Sequence, residues 1–332
     1  MAKYTIFKLK NLTPLHIGTG KENYDFSASE LQSDTLSAAL AAMRVQSGKT
    51  GGIKEFLDSF VISSAFPFVG GLFFLPKMSG RLNVSIPNLD EHSYRKKLKK
   101  VKFVEVAIWN NLISKGDVSI SESQIQGDFL VPANISKFQE PYKSQVNQRV
   151  TIPRQDGKEA DPFFFNWTYY SQDSGLYCIV DADDSVLDEI EDLLTMLGEN
   201  GLGTDKNIGG GKFDVEKVKS SLEIANVADA NSSMLLSMYI PAEEEVANLN
   251  LSNSRYDLVR RGGYMAGSDE CDFRHLRKKT IYMFNTGSIF KSTEILKGKI
   301  VDLKPVWNDE RMHPVYRSGK PFVVPIKLTE NE

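Results

Sequence analysis

The chain has 332 residues, enough for one large or two modest domains, and its 41% hydrophobic and 25% charged content is ordinary for a soluble globular protein. The formal net charge of −3 offers no bulk attraction to a polyanion, so any nucleic-acid site must be a local basic surface offset by acid elsewhere. Cys178 and Cys271 have neither metal-type spacing nor a disulfide framework, and without a signal-like or membrane-spanning segment we expect a cytoplasmic protein.

The first elements are a strand and a helix. Residues 4–10 are rich in β-formers and predict a strand that runs into a glycine-containing loop. Apolar residues at helical spacing over 33–43 predict a helix. Ser33 is a typical N-cap residue, and Asp34 would complement the positive end of the helix dipole.

Strands and a second helix follow. Residues 60–76 predict two strand pieces, broken at Pro67 and at the glycine pair 70–71. A helix over 91–112 would include the lysine-rich run 95–102, which is most simply a solvated helix face. The order of strand, helix, strands and helix suits an α+β sandwich of the ferredoxin-like (RRM-like) kind.

The middle of the chain predicts an arm. Residues 140–162 are polar and turn-rich, typical of a protruding β-hairpin arm in which Arg149 and Arg154 would be reachable cations. A dense strand over 163–170 then turns into an apolar strand over 176–181, which predicts a second hairpin.

The remaining elements predict a second α+β unit. A helix over 185–197 would end at Gly198, and strands would follow at 212–219, 234–240 and 280–285. The prolines within 320–328 predict an edge strand. We therefore expect two ferredoxin-like units, residues 1–139 and residues 163–332, with residues 140–162 as the arm.

A glycine-rich stretch lies between that last helix and the next strand. Glycines without Cβ atoms can take positive φ and let a ligand approach the backbone. Successive exposed amides with nearby lysines bind phosphate. The predicted phosphate-binding residues are Lys206, Asn207, Gly209, Gly210, Gly211 and Lys212.

Two nucleotide motifs fail on single residues. Gly48-Lys-Thr50 ends like a P-loop, but Met43 stands where its first glycine belongs. Gly201-Leu-Gly203 would need glycine or alanine where Lys206 stands, and it precedes a strand rather than a helix. Nucleotide hydrolysis and dinucleotide binding are disfavoured, and because the four histidines lie far apart we predict neither a metal nor a cofactor.

His16 is the one histidine at a suggestive place, beside Gly18 at a predicted strand end. It could be the general base of an RNA-cleaving enzyme, but no acid–base partner lies nearby, so a binding or structural role is the better interpretation. Late in the chain, Arg255, Arg260, Arg261 and Tyr264 combine cations with an aromatic ring, a combination that suits single-stranded nucleic acid.

Several motifs resemble one family. Pro14-Leu-His-Ile-Gly18 with Ser33-Asp-Thr-Leu36 closely resembles the N-terminal signature of the fourth Csm subunit of type III-A CRISPR effector complexes. That subunit is a RAMP protein, and the glycine-rich loop 201–213 resembles the loop shared across RAMP proteins. Thr286-Gly-Ser-Ile-Phe290 and residues 313–319 are similar to C-terminal motifs of the same subunit, so the resemblance covers nearly the whole chain.

The resemblance implies a non-catalytic RNA-binding subunit that holds the 5′ tag of the guide RNA. It implies contacts with the large polymerase-like subunit and the backbone subunit, and it assigns the arm to a thumb-like hairpin near the target RNA. The alternative is a metal-independent guide-processing endoribonuclease that uses His16. Combining the residues with the resemblance, we expect RNA contacts from His16, Gly18, Arg149, Arg154, Lys206, Asn207, Gly209, Gly210, Gly211, Lys212, Arg255, Arg260, Arg261 and Tyr264.

Overall fold

The structure, a computed structural model, describes residues 2–18, 24–28, 30–154, 159–265, 267–291 and 295–328. The loop at 19–23 and the predicted arm turn at 155–158 lie outside the described residues. The mixed content of strands and helices agrees with the predicted α+β class. None of the helices in the described ranges could span a bilayer.

The α-helices are α1 Ser33–Gln46, α2 Ile53–Asp58, α3 Glu91–Lys100, α4 Val106–Lys115 and α5 Asp184–Asn200. The strands of the first half are β1 Ala2–Lys10, β2 Phe60–Ile62, β3 Phe66–Val69, β4 Leu72–Pro76, β5 Val84–Ser85, β6 Phe103–Glu105, β7 Val118–Ser119, β8 Ile125–Gln126, β9 Phe129–Leu130 and β10 Tyr142–Thr151. The strands of the second half are β11 Asp161–Tyr170, β12 Ser174–Ala182, β13 Asp214–Ile224, β14 Ser232–Leu235, β15 Leu258–Arg261, β16 Ile281–Phe284, β17 Ile289–Phe290, β18 Ile300–Asp302, β19 Tyr316–Ser318 and β20 Val323–Ile326.

A nine-stranded sheet organises the chain, in the order β13-β1-β12-β3-β4-β6-β9-β8, with β2 also paired to β12. Strand β1 runs antiparallel to both β12 and β13. Its side chains alternate between two buried layers: Phe7 and Leu9 pack with α1 and α5, while Ile6 joins the opposite layer around Trp109. Because β12 and β13 pair with β1, the two predicted units share this sheet.

The predicted helix over 91–112 is wrong: α3 and α4 are separated by β6. Residues 103–105 are drawn into the sheet, where Phe74 pairs with Glu105 and Phe103 with Phe129. The Glu105 carboxylate then accepts hydrogen bonds from the amides of Ala107 at 3.0 Å and Ile108 at 3.4 Å, which caps α4. Helical spacing of apolar residues did not reveal this short buried strand.

The hairpin predicted from 163–170 and 176–181 is also wrong. Strand β11 pairs with β10, from Tyr142↔Tyr170 to Thr151↔Asp161, whereas β12 pairs with β1, β2 and β3. The two strands follow each other in sequence but belong to different sheets. The predicted arm boundary at residue 162 therefore falls inside β11, and the two-stranded ladder spans residues 142–170.

Two predicted breaks are misplaced. Pro67 lies within β3, opposite Leu176, so only the break at the glycine pair 70–71 is confirmed. Gly198 lies within α5, where a Cβ atom would stand 2.2 Å from the Phe213 carbonyl oxygen. Glycine is needed there for close packing, and the helix ends instead at Gly201, whose φ is +83°.

The C-terminal part consists of short ladders: β17-β14-β20, β15-β16 and β18-β19. Strand β20 lies at an edge, as predicted from its proline. The described residues after Asn200 form no α-helix, only short 3-10 segments. The described part of the predicted second unit, residues 163–332, therefore contains one α-helix, α5, where a ferredoxin-like unit has two.

A buried carboxylate joins this part to α1. Asp34 is fully buried and accepts two hydrogen bonds from Arg261, at 2.8 and 2.9 Å, and a further one from Arg317. Burial lowers the pKa of both guanidinium groups, that of Arg317 to about 10. Both carry charge at neutral pH, because arginine does not lose its proton in proteins. Asp34 thus forms ion pairs with two arginines. The N-cap of α1 is Gln32 rather than the predicted Ser33. The Oγ of Ser33 instead accepts a hydrogen bond from the Met238 amide at 2.8 Å.

We expect Asp34→Asn to lower the free energy of unfolding by about 3–5 kcal/mol, because two buried guanidinium groups would lose their counter-charge. Urea denaturation measures this change. Adding Arg317→Met should recover part of the loss, since one uncompensated charge is then replaced by an apolar side chain. The control, Glu216→Gln, breaks an exposed pair with Lys10 and should leave the unfolding midpoint nearly unchanged. An equally mild effect of Asp34→Asn would contradict the assignment.

Candidate nucleic-acid interface at the glycine-rich loop

The glycine-rich loop is bonded along its length to the segment that follows β1. The Thr204 amide donates to the His16 carbonyl at 3.1 Å, and the Gly211 amide donates to the Pro14 carbonyl at 2.9 Å. Thr13 closes the far end, because its amide donates to the Lys212 carbonyl at 2.9 Å. The two motifs, distant in sequence, therefore form one structural unit.

The glycines of the loop permit close approach of the backbone. A Cβ atom at Gly211 would lie 1.9 Å from the Leu202 carbonyl oxygen, and one at Gly203 would lie 2.2 Å from that of His16. Both glycines also have positive φ, +68° and +85°. A Cβ atom at Gly210 would lie 2.7 Å from the Trp167 ring.

The predicted grip through main-chain amides needs correction at four positions. The Gly209 amide donates to the Lys206 carbonyl at 3.0 Å and the Gly210 amide to the Asp205 carbonyl at 3.2 Å. The Gly211 amide is used as described above, and the Lys212 amide donates to Thr13 Oγ1 at 2.8 Å. These four amides hold the loop in shape and are not free to bind phosphate in this conformation.

The side chains at the loop's rim remain accessible. Lys206, Asn207 and Lys212 are all exposed, and between them Ile208 is 68% exposed. The neighbouring residues partly desolvate the Lys206 ammonium group, and this desolvation lowers its pKa. The structure thus presents two cations and an amide at the rim through their side chains.

His16 is buried, with 1% of its surface exposed. Its Nδ1 lies 2.8 Å from the Asn166 carbonyl oxygen, which can only accept, so Nδ1 carries the proton. The ring packs 4.5 Å from that of Phe165. His16 therefore has a structural role, while Gly18 is exposed close to Thr204.

The β10–β11 ladder is attached to the loop through Arg149. Its guanidinium donates to the Asp205 carboxylate and lies 4.3 Å from the Phe165 ring and 5.2 Å from the Trp167 ring. Arg149 is thus an anchor for the ladder rather than a reachable cation, whereas Arg154 is exposed near the ladder's outer end.

Sequence reasoning missed the residues that complete this anchor. Trp167 was predicted only as part of a dense strand. Because it follows Phe165 by two residues, both side chains lie on the same face of that strand. Asp205 has a φ of +59°, uncommon for a residue other than glycine. Its position inside a glycine-rich stretch was the available signal.

The second predicted cluster does not form one site. Arg261 is bound to Asp34, Tyr264 accepts a hydrogen bond from Arg277 at 2.9 Å, and Arg255 packs against Gly80. Arg260 is exposed. Of the four residues, it is the one whose side chain is placed to meet an external ligand.

The lysine-rich run ends at the seam between the two parts of the chain. Lys99, Lys100 and Lys102 line a cavity of about 460 Å³, which Asp257 and Thr286 close from the C-terminal side. Lys102 forms an ion pair with Asp128 at 2.8 Å. Within the described ranges, no group of three or more histidine, cysteine or acidic residues could hold a metal ion.

Two family models match the chain: the RAMP superfamily over residues 8–214 and the CRISPR Csm4 C-terminal domain over residues 228–326. A Csm4 protein of Mycobacterium tuberculosis is 26% identical over 306 residues, covering 91% of this chain and 92% of that protein. A Csm4 protein of Streptococcus thermophilus is 24% identical over 326 residues, covering 94% and 96%. These matches confirm the resemblance seen in the motifs.

Solved structures share the fold. A chain of a Csm1–Csm4 cassette in complex with cA4 aligns at a TM-score of 0.64 and 19% identity, covering 99% of this chain and 100% of that one. A chain of the Csm3–Csm4 subcomplex of a type III-A CRISPR-Cas interference complex aligns at a TM-score of 0.60 and 18% identity, covering 98% and 100%.

We expect Gly211→Ala to destabilise the protein more than Gly209→Ala. Both positions have positive φ, but a methyl group at Gly209 meets open space while one at Gly211 collides with backbone. Gly209→Ala should cost about 1–2 kcal/mol from backbone strain alone. Thermal unfolding measures the order, with Gly51→Ala as an unstrained control in open space. Equal losses at both glycines would show that the loop does not pack as described.

Proposed function

Because the chain belongs to the RAMP superfamily, we propose that it is the Csm4-type subunit of a type III CRISPR effector complex and binds the 5′ tag of the guide RNA. The printed names of its structural relatives associate Csm4 with Csm1 and with Csm3. We accordingly propose contacts with a large polymerase-like subunit and with a backbone subunit.

The rim of the glycine-rich loop is the observation that carries this proposal. Lys206, Asn207 and Lys212 are exposed on a loop held rigidly by backbone hydrogen bonds to residues 13–16. Fixed cations on a rigid support suit phosphates at a regular spacing. The net charge of −3 then requires that RNA binding be local to such surfaces.

The arrangement of the first part supports a ferredoxin-like unit. Strands and helices follow in the order β1, α1, β2, β12, α5 and β13, with α2 inserted after α1 and the elements from β3 to β11 inserted after β2, and β1 and β12 are the neighbouring strands at its centre. We propose that this unit presents the glycine-rich loop, as the family resemblance implies.

The β10–β11 ladder would be the arm beside the target RNA. Its outer half exposes apolar side chains, with Val150 51%, Ile152 74% and Phe164 56% exposed. Gln148 lies opposite Phe164 in the ladder, so polar and apolar side chains share one face. Such a face can pack against bases that leave a duplex, while Arg149 fixes the ladder's direction.

A scaffold role fits the burial of His16 better than catalysis does. A general base must lie within hydrogen-bond reach of the proton that it removes. His16 is 1% exposed, and its Nδ1 is engaged with the Asn166 carbonyl. The burial of His16 therefore supports a scaffold over the endoribonuclease alternative.

We expect Lys206→Ala plus Lys212→Ala to weaken guide-RNA binding and to reduce the slope of log K against log salt concentration by about two, because two phosphate contacts are lost. RNA retention in the purified complex and filter binding across salt concentrations measure this. Lys54→Ala plus Lys115→Ala removes the same charge from exposed positions elsewhere and should change neither quantity. Unchanged retention in the loop variant would contradict the assignment.

Precursor guide RNA incubated with the purified chain, without metal, should remain intact, because the buried His16 cannot act on a bound RNA as a general base. Denaturing gel electrophoresis over a time course checks this. Specific cleavage at one position, persisting after chelation, would favour the processing enzyme over the scaffold.

A further inference from the structure

The β15–β16 ladder carries an exposed strip of mixed chemistry. Arg260 lies directly opposite Tyr282 in the register, and Leu258 precedes Arg260 by two residues on the same strand. These three side chains therefore share one face. Tyr282 is 62% exposed, Leu258 is 53% exposed, and Arg260 is also exposed. We call these three residues the outer strip.

The opposite face of the ladder is fixed to the body of the protein. Met283 is buried with Met238 and Ile240, and Val259 packs against the same cluster. Arg261, on this inner face, is held by Asp34. The outer strip therefore stands on a rigid support and presents its ring and guanidinium without further ordering.

Cations and one acid flank the strip along the chain. The run from Arg274 to Lys279 leads directly into β16, and Lys279 is exposed. The acid that adjoins the strip is Asp257, which precedes Leu258 and whose carboxylate accepts a hydrogen bond from Ser79 Oγ at 3.2 Å.

We propose that the outer strip is a second RNA contact, which binds one nucleotide of a single-stranded segment. The Tyr282 ring stacks on a base, Leu258 packs against its edge, and Arg260 neutralises the adjoining phosphate. The inference rests on the proposed RNA-binding function and adds a base-stacking residue to it. Stacking tolerates any base, because every base offers a flat ring.

The chemistry favours RNA over a protein partner. Although Tyr and Arg are enriched in protein interfaces, the core of such an interface is an extended and largely apolar patch. The strip instead offers one ring, one alkyl side chain and one guanidinium. A nucleotide has that composition on its own side, with one flat ring and one negative charge.

The experiment measures fluorescence anisotropy of labelled oligoadenylate with the full-length chain. Tyr282→Ala should weaken binding about tenfold, because a stacked ring is removed. Tyr282→Phe keeps the ring and should stay within about twofold of wild type. Leu89→Ala, at an apolar residue 39% exposed before α3, is the control and should bind like wild type. Circular dichroism confirms that each variant is folded.

The outcomes separate this inference from the proposed function. If Tyr282→Ala binds like wild type while Lys206→Ala plus Lys212→Ala binds weakly, the strip fails and the proposed function stands. If wild-type chain binds no RNA, both fail. Loss of a co-purifying protein subunit from Tyr282→Ala, with RNA affinity unchanged, would assign the strip to a protein partner and overturn the inference.

Discussion

The close crossing of two backbones is the constraint on which the candidate interface depends. A Cβ atom at Gly203 would collide with the His16 carbonyl oxygen, where the loop meets residues 13–16, and one at Gly211 would collide with the Leu202 carbonyl oxygen within the loop itself. The amides of Gly211 and Lys212 bond to residues 13–14 and those of Gly209 and Gly210 bond within the loop, so the chemistry of the loop is left to side chains at its rim. The same crossing buries His16 and brings β11 alongside through Leu15 and Thr168. Rigid backbone and exposed cations are therefore two consequences of one packing arrangement.

The spacing of apolar residues in the sequence predicted individual helices and strands. The apolar spacing of Leu36 and Leu40 predicted α1, and both side chains are fully buried. The alternation around Phe213 and Val215 predicted a strand after the glycine loop, and β13 begins there. Strand partners could not be inferred in the same way, because a strand's composition does not name its neighbour. Residues 163–170 and 176–181 both predict strands correctly, yet they pair in different sheets.

The cations show the same limit at the level of the site. Arg149, Arg260 and Arg261 are equivalent in a sequence, and each was assigned to RNA. Two of them pair with acidic residues that are distant in sequence: Arg149 with Asp205 and Arg261 with Asp34. A guanidinium that is paired with a carboxylate and largely removed from water offers little to a ligand. Exposure, which only the folded chain defines, separates Arg260 from the other two.

Asp34 extends this argument from single residues to the whole chain. It lies in the part that matches the RAMP superfamily, whereas Arg261 and Arg317 lie in the part that matches the Csm4 C-terminal domain. Removing one member of such a buried set leaves uncompensated charge, so the three residues hold the two parts in one relative position. The glycine-rich loop sits on the first part and the outer strip on the second. A strand of RNA in contact with both would therefore meet two supports at a fixed separation, and the binding of one would align the other.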